Sequence, residues 1–584
     1  MSEPTSEPTE EAPTSDDQQV AELAQRYWSA VLEAAPTSAT LLGVHDHDDR
    51  LEDLSTASQT RLRNDLNAIR SRLHTLHPRR PDAEVTAALL THQLDTAIGA
   101  IDQRRIELAS DHMLGPHAEL LMTAPQLTYP APSDAVAALT RYAQVPRLLG
   151  QAIDRFRDGL AAGRTPAAAV IARSVNSLEA YLATAEEDDP FLAPALPDGT
   201  NGSAWDGADR WRVEASEIVH DLIRPGFAAY LGVLRDELAP SARDDDHAGW
   251  CHLPDGEELY TSLVRAHTTL EIEPSELHEL GRRLTEEVLP AEYEPLGSEV
   301  FGTADIQEIF TRLRTDPELR HRDATEILSI ATDTVARATA AIPDWFGRLP
   351  ASPCTVAPVP SFLAADAPYA YYFPPAVDGS RGGTYFINTA DPTEASRTEA
   401  ESIAFHEAIP GHHLQIAISQ ELDDLPDFQR HDGATSYIEG WGLYAERLAD
   451  EMGLYSSPLD RLGMLTADSW RSARLVVDTG LHALGWSRQR AVDYFVERTP
   501  VPIDQIAPEV DRYLAMPAQA LSYKVGQLHI EELRRRAQAA MGERFSIAAF
   551  HDVVLGSGAV TLPVLDQLIG RWTATAAPDR ARRG

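Results

Sequence analysis

Residues 406–415 read His-Glu-Ala-Ile-Pro-Gly-His-His-Leu-Gln. A His-Glu pair followed within two helical turns by more histidine is how helical zinc hydrolases begin a metal site. Neutral imidazoles bind Zn2+ from one side, and the adjacent glutamate stays free to take a proton from water on the metal. The usual arrangement is H-E-x-x-H, with the histidines at i and i+4 on one helix face. Here position i+4 is Pro410, as though two residues had been inserted. Two geometries restore a site. In an unbroken helix, i+7 falls about 20° short of two full turns, which pairs His406 with His413. Pro410, however, removes a helical hydrogen bond and sets its ring against the carbonyl of His406, and Gly411 relieves the backbone. A local bulge over Ile409-Pro410-Gly411 brings His412 to the metal instead, and such bulges concentrate at functional sites. His412 is favoured as the second ligand, with His413 the alternative.

A catalytic zinc needs three protein ligands and one open position, so a third must come from elsewhere. The next polar cluster is Tyr437-Ile-Glu-Gly-Trp-Gly-Leu-Tyr-Ala-Glu446, on a helix expected to run to about Met452. Glu439 is far enough beyond His412 for a loop and a returning antiparallel helix. Glu446, seven positions later, shares its face. One carboxylate binds the metal while the other orients a ligating imidazole from behind. Glu439 is expected as the ligand, because Gly440 and Gly442 beside it allow close helix approach. Without the first motif, these would read equally well as two solvated glutamates.

His-Glu-x-x-Pro-Gly-His followed by Glu-Gly-Trp resembles the domain of unknown function 885 family, grouped with the zincin-like metallopeptidases. The resemblance continues through Trp470-Arg-Ser-Ala-Arg-Leu-Val-Val-Asp-Thr-Gly-Leu-His482, Ser522-Tyr-Lys-Val-Gly-Gln527, Phe550-His-Asp552 and the stretch 558–565. Upstream it takes in Gly383-Thr-Tyr-Phe-Ile-Asn388 and, more loosely, most of 20–350. It thus covers nearly the whole chain. The family pattern puts Gly-His at 411–412, which supports His412. The resemblance implies a large, mainly α, zincin-like metallopeptidase fold, with a small β-sheet beside the metal-binding helix and a deep cleft. It implies no particular substrate. In related metallopeptidases an edge strand hydrogen-bonds an extended substrate, which would let Asn388 meet a substrate backbone; a turn-capping asparagine is the plainer reading. Related enzymes also use a tyrosine from a late segment to stabilise the oxyanion, and Tyr523 stands where that role would fall.

Composition sets outer limits. The 584 residues exceed what one hydrophobic core organises, and 43% are hydrophobic, ample for burial. No apolar run approaches a membrane span, and the N-terminus has neither basic nor apolar signal-peptide regions. Membrane partners are therefore not expected, and cytoplasm is the expected location. The two cysteines, Cys251 and Cys354, form neither a disulfide scaffold nor a metal-ligand spacing. A formal net charge of −40 argues against nucleic acid, which needs clustered cations.

Residues 1–17 repeat Ser-Glu-Pro-Thr without core residues and are expected as a disordered acidic tail. A helical lobe is expected over 18–350, with long helices at 173–190 and 215–240. A catalytic lobe follows over 351–584, with a small sheet within 358–389 and the zinc-binding helices after it. Alternation in Tyr369-Ala-Tyr-Tyr-Phe and Gly383-Thr-Tyr-Phe-Ile-Asn marks the strands.

Arg471, Arg474, Asp478 and His482 stand at i, i+3, i+7 and i+11, one face of a helix that Leu475, Val476 and Val477 mark as largely buried. Buried charges must pair or line a cavity. The ladder is either an Arg-Asp-His brace between helices or a clamp in which Arg474 and His482 meet substrate and the guanidinium takes its carboxylate. Lys524 is the only lysine of the 50 basic residues. A bias that strong leaves lysine only where an ammonium is required, so Lys524 is a candidate substrate contact beside Tyr523. Covering apolar surface is the alternative for this pair. His45-Asp-His-Asp-Asp49 holds enough ligands for a metal but reads more simply as a solvated turn. His551, Asp552 and Cys251-His252 support no functional assignment.

The sequence is thus expected to be a zinc hydrolase acting on a peptide or peptide-like amide. His406, His412 and Glu439 would hold Zn2+, Glu407 would serve as the base and Tyr523 would support the oxyanion. A dedicated amide hydrolase for one small biosynthetic intermediate is the first alternative. A non-catalytic zinc-containing binding protein is the second, and the presence of Glu407 favours an enzyme over it. Oligomeric state and the choice between exopeptidase and endopeptidase are beyond the sequence.

Overall fold

The computed structural model describes residues 15–198, 205–360, 364, 368–377 and 382–575. Helices carry most of them, and three short strands form a small sheet. The expected tail lies outside the described residues as far as 14. Ser15 caps the first helix, Asp16–Ala34, by accepting from the Gln18 N–H while the Gln18 side chain accepts from the Ser15 N–H. Asp16 and Asp17 open that helix at its electropositive end.

The run expected to be helical over 215–240 is helical from Ala208 to Leu238, with π-turns at Val219–Ile223 and Leu234–Leu238. The first π-turn precedes Pro225, which withdraws a helical donor. The helix expected over 173–190 ends at Ala183 instead, and Pro190 begins a separate short turn. Helices between Leu120 and Leu238 bury a core of their own, including Leu149, Phe156, Trp211, Phe227 and Tyr230. A larger core runs from Tyr27 and Leu90 through Val335 and Phe346 to Phe405, Trp441 and Leu565. N-terminal helices therefore pack directly behind the His-Glu segment.

The strands are β1 (Cys354–Pro358), β2 (Ala370–Phe373) and β3 (Gly383–Ile387), in the order β1-β3-β2. β1 runs parallel to β3 and β2 antiparallel to it. β2 and β3 match the alternating segments. β1 starts at Cys354, ahead of the expected 358, because five residues ending in proline carry too little alternation to stand out and become a strand only by pairing with β3. Gly383, Tyr385 and Ile387 of β3 face inward.

Six helices concern the site: α1 (Ala400–Glu407), α2 (His412–Gln420), α3 (Thr435–Glu451), α4 (Pro458–His482), α5 (Ile503–Ala515) and α6 (Ser522–Met541). α4 starts cleanly, with Ser457 as cap and Pro458 in the first turn. From Leu462 to His482 only Trp470 and Arg471 reach partial exposure. α3 and α6 cross at Gly440 and Gly526, where a Cβ on Gly440 would lie 2.5 Å from the Gly526 backbone. No larger residue fits that crossing, and it holds the start of α6 against α3, the helix that carries Glu439.

Candidate metal centre

The His-Glu segment does not continue as a bulged helix. α1 ends at Glu407, Ala408 leaves the helical region (φ −107°, ψ −101°), and α2 begins afresh at His412. The clash between Pro410 and the His406 carbonyl is relieved by breaking the helix rather than by widening it. Gly411 is required by space, since a Cβ there would lie 1.8 Å from the His406 carbonyl oxygen. The turn is pinned by Trp441, whose Nε1–H donates to the Pro410 carbonyl at 2.9 Å. The tryptophan of Glu-Gly-Trp thus supports the loop that carries the second histidine.

The break brings the two imidazoles together, ring centres 4.7 Å apart and nearly perpendicular. Glu439 Oε2 lies 3.6 Å from Nε2 of His406 and 3.6 Å from Nε2 of His412. These distances exceed a hydrogen bond, but ligands around a tetrahedral Zn2+ stand about 3.3–3.4 Å apart, so the three atoms fit one ion with a small inward movement. Behind His406, Nδ1–H donates to Glu446 Oε1 at 2.8 Å, and Ser402 Oγ donates to Glu446 Oε2 at 2.5 Å. That pairing holds the proton on Nδ1 and leaves Nε2 facing Glu439 and His412. Gly440 serves helix approach, as expected; Gly442 instead makes room for the His406 ring, which a Cβ would meet at 2.6 Å.

Carboxylates dominate the electrostatics around His406. Burial disfavours a charged His406, yet Glu439, Glu446 and Glu407 outweigh it and lift the imidazole to about 10. Burial likewise raises the Glu439 carboxyl, but the two imidazoles hold it well below the usual carboxylate range. The side chains of His412 and Glu439 are 11% and 19% exposed, so the cluster opens to solvent on that side.

His413 is committed elsewhere. Its Nδ1 accepts from Tyr372 Oη at 2.9 Å and its Nε2–H donates to the Ser352 carbonyl at 3.0 Å. Burial lowers its pKa to about 4. It ties α2 to β2 and to the loop before β1, and Gly383 leaves it room.

Glu407 is half-buried and makes no side-chain hydrogen bond or ion pair among the described residues. Tyr523 stacks on His406, ring centres 6.4 Å apart at 23°, and the Arg474 guanidinium lies 4.6 Å from the same tyrosine ring centre. Arg474 is buried, with Nε on Tyr513 Oη at 3.0 Å and Nη2 on Glu509 Oε2 at 3.3 Å. His482 proves to be a brace. It is fully buried, Nδ1 accepts from the Trp250 N–H at 3.1 Å, and Nε2–H donates to the Tyr513 carbonyl at 3.0 Å, which leaves no nitrogen for a substrate. Lys524 is also a buried tie, with its ammonium on Asp468 and on Gln527 Oε1 at 2.8 Å. Asp468 in turn holds Arg447, so the lone lysine joins α6 to α4. Asn388 caps a turn, its Nδ2 donating to the Ala364 carbonyl at 2.7 Å and its Oδ1 accepting from the Ala390 N–H at 3.1 Å.

Sequence reasoning missed Glu509 and Arg512 on α5. Nothing marks them within an ordinary charged helix, and only the packing of α5 on α4 brings them to Arg474. The loop at His45 is not simply solvated: Asp48 is buried against Thr40 and Arg141, so a guanidinium already neutralises its carboxylate.

Residues 36–569 match the family described as bacterial protein of unknown function (DUF885). The crystal structure of a protein described as a putative lipoprotein from Colwellia psychrerythraea superposes with a TM-score of 0.89 at 25% identity, over 96% of this chain and 100% of that one. A second, described as a putative lipoprotein of unknown function from Shewanella oneidensis, has a TM-score of 0.72 at 16% identity, over 94% and 99% of the two chains. No curated protein matches the sequence. The expectation of a cytoplasmic location is overturned by these structural neighbours, both of which are described as putative lipoproteins. Among the described residues no helix is long and apolar enough to cross a membrane.

Proposed function

The chain belongs to the DUF885 family, and we propose that it is a zinc-dependent hydrolase of peptide or peptide-like amide bonds, with a zincin-like fold and a substrate cleft at the His406 face. One observation carries this reading: Nε2 of His406, Nε2 of His412 and a Glu439 oxygen converge on one point beside an uncommitted glutamate. Two imidazoles and a carboxylate are a donor set suited to Zn2+ with one position open. When bound there, Zn2+ supplies Lewis acidity, polarising a carbonyl and bringing the pKa of water down to about 7.

The residues of the chain do the rest. Glu446 holds the Nδ1 proton of His406 and keeps Nε2 aimed at the cluster. Glu407, half-buried and unpaired, takes the proton of the attacking water on a carboxylate oxygen and returns it to the leaving nitrogen. Tyr523, held against His406, donates its hydroxyl proton in a hydrogen bond to the oxyanion.

Protein prepared without chelator is expected to carry one zinc per chain and to cleave members of a broad peptide library read by mass spectrometry. Glu407→Gln is near-isosteric and is not a ligand. It should keep zinc and fold while turnover falls by several orders of magnitude. A Glu407→Gln protein as active as the parent with its zinc intact would refute the mechanism. Zinc without hydrolysis in the parent would make the chain a zinc-containing binding protein.

A further inference from the structure

Close to the metal cluster stands a group of cations that outnumber their partners. Arg471 and Arg474 come from α4 and Arg512 from α5. Glu509 Oε2 accepts from Arg474 Nη2 at 3.3 Å and from Arg512 Nη1 at 3.4 Å, so one carboxylate oxygen serves two guanidiniums. Arg512 Nη2 goes to a neutral acceptor, Gln519 Oε1, at 2.8 Å. Among the described residues Arg471 donates only to the Ala467 carbonyl, at 3.4 Å, and its guanidinium lies over the Trp470 ring. Glu399 is the other carboxyl near Arg471; burial raises its pKa, and the guanidiniums of Arg471 and Arg320 act against that rise. In a chain of net charge −40, a local excess of positive charge has a specific cause.

Two donors in this group are unused. Nη1 of Arg474 and Nε of Arg471 are buried without a hydrogen-bond partner among the described residues. Buried donors are almost always paired, and Arg474 as a whole is only 4% exposed. Its Nε and Nη2 edge is filled by Tyr513 and Glu509, which leaves Nη1 as the vacant arm. Solvent reaches the cluster through Arg512 and Glu509, each 18% exposed. The Tyr523 ring that lies 4.6 Å from the Arg474 guanidinium also stacks on His406, so cations and metal ligands border the same tyrosine.

We propose that Arg474, with Arg471 and Arg512, receives the C-terminal carboxylate of the substrate, and that the substrates are peptides or peptide-like amides shortened from that end. This rests on the hydrolase reading and narrows it to carboxypeptidase-type action. A carboxylate supplies two coplanar oxygens to guanidinium donors and one negative charge to a cluster in which Glu509 is already shared. Because the site is largely buried, an amide in place of the acid would leave the guanidinium charge uncompensated and would be rejected far more strongly than at an exposed surface.

The test uses Glu407→Gln protein loaded with zinc, so that binding is read without turnover. Two matched pools of N-acetyl tripeptides are offered, one of free acids and one of C-terminal amides, and retained peptides are quantified by mass spectrometry. Acids should be retained at least about 30-fold over amides, and Arg474→Gln on that background should bring the ratio to within about threefold of unity. Arg512→Gln, at a partly exposed position where folding is less at risk, should lower the ratio by about tenfold; circular dichroism confirms that each variant is folded. Equal retention of acids and amides, or retention of neither pool, overturns the inference. The hydrolase reading is judged separately by the parent protein: hydrolysis of acids and amides alike leaves that reading standing and removes only the carboxylate receptor.

Discussion

Gly442→Ala should cost zinc affinity without unfolding the chain. A Cβ at 442 would lie 2.6 Å from His406 Cε1, 2.7 Å from Nε2 and 3.0 Å from Nδ1. Carbon contacts settle at about 3.5–4.0 Å, so the imidazole must retreat by about 1 Å. Retreat is resisted from behind, where Nδ1 is bonded to Glu446 and Glu446 to Ser402. Metal–ligand distances tolerate only about ±0.2 Å, so the displaced Nε2 leaves coordination range. Disturbing the groups behind a ligand typically weakens a metal site 10–100-fold. Displacing the ligand itself should cost at least about 100-fold, or ~2.8 kcal/mol. The helix gains about 0.5–1 kcal/mol from the alanine, which offsets part of the steric cost to the metal-free fold. Competition against a chromophoric chelator gives the zinc affinity, and thermal unfolding of metal-free protein gives the stability. Zinc affinity equal to the parent's, with a folded variant, would show that His406 is not a ligand or that α3 yields freely at residue 442.

His412→Ala should lose zinc in a chelator-free preparation, whereas His413→Ala should keep one zinc per chain and lose roughly 1–3 kcal/mol of stability by stranding its buried partners; the opposite pattern would reverse the ligand assignment. Tyr523→Phe should leave zinc content unchanged and lower turnover by about 10²–10³-fold, and unchanged turnover would remove Tyr523 from the reaction. Burial lifts the Asp478 carboxyl to about 7, against hydrogen bonds from Tyr260 and the Ala518 N–H. In the unfolded chain the same group titrates near ~3.9, so its contribution to stability is fully present below about pH 4 and is lost as pH rises to 7, up to ~4 kcal/mol in all. Chemical denaturation of Asp478→Asn and parent across pH 4–8 should show the variant gaining on the parent through that window, and a constant difference would refute the assignment.

The sequence by itself was enough to determine a mainly helical chain, the β2–β3 pair, the His406-Glu407 element, and Glu439 and Glu446 on one helix face with Glu446 behind an imidazole. These are consequences of local periodicity. A seven-residue spacing on a helix aligns side chains wherever that helix is placed, and alternation marks a strand before its partner is known. Glycine and proline were legible as a disturbance after Glu407 but not as its outcome. Whether the helix bulged or broke depended on Trp441 being present to donate its Nε1–H to the exposed Pro410 carbonyl, a contact across 31 residues. The sequence favoured His412 over His413 through Pro410 and Gly411, and what occupies His413 instead, Tyr372 and the Ser352 carbonyl, came only from the packing. His482 and Lys524 carried the right chemistry for substrate contact, and only their neighbours, the Tyr513 and Trp250 backbone for one and Asp468 for the other, turned them into ties between helices. β1 and the partners of Arg474 on α5, Glu509 and Arg512, had no sequence signal at all. Burial and pairing are properties of the assembled chain, and a buried charge takes its meaning from partners that tertiary packing alone supplies.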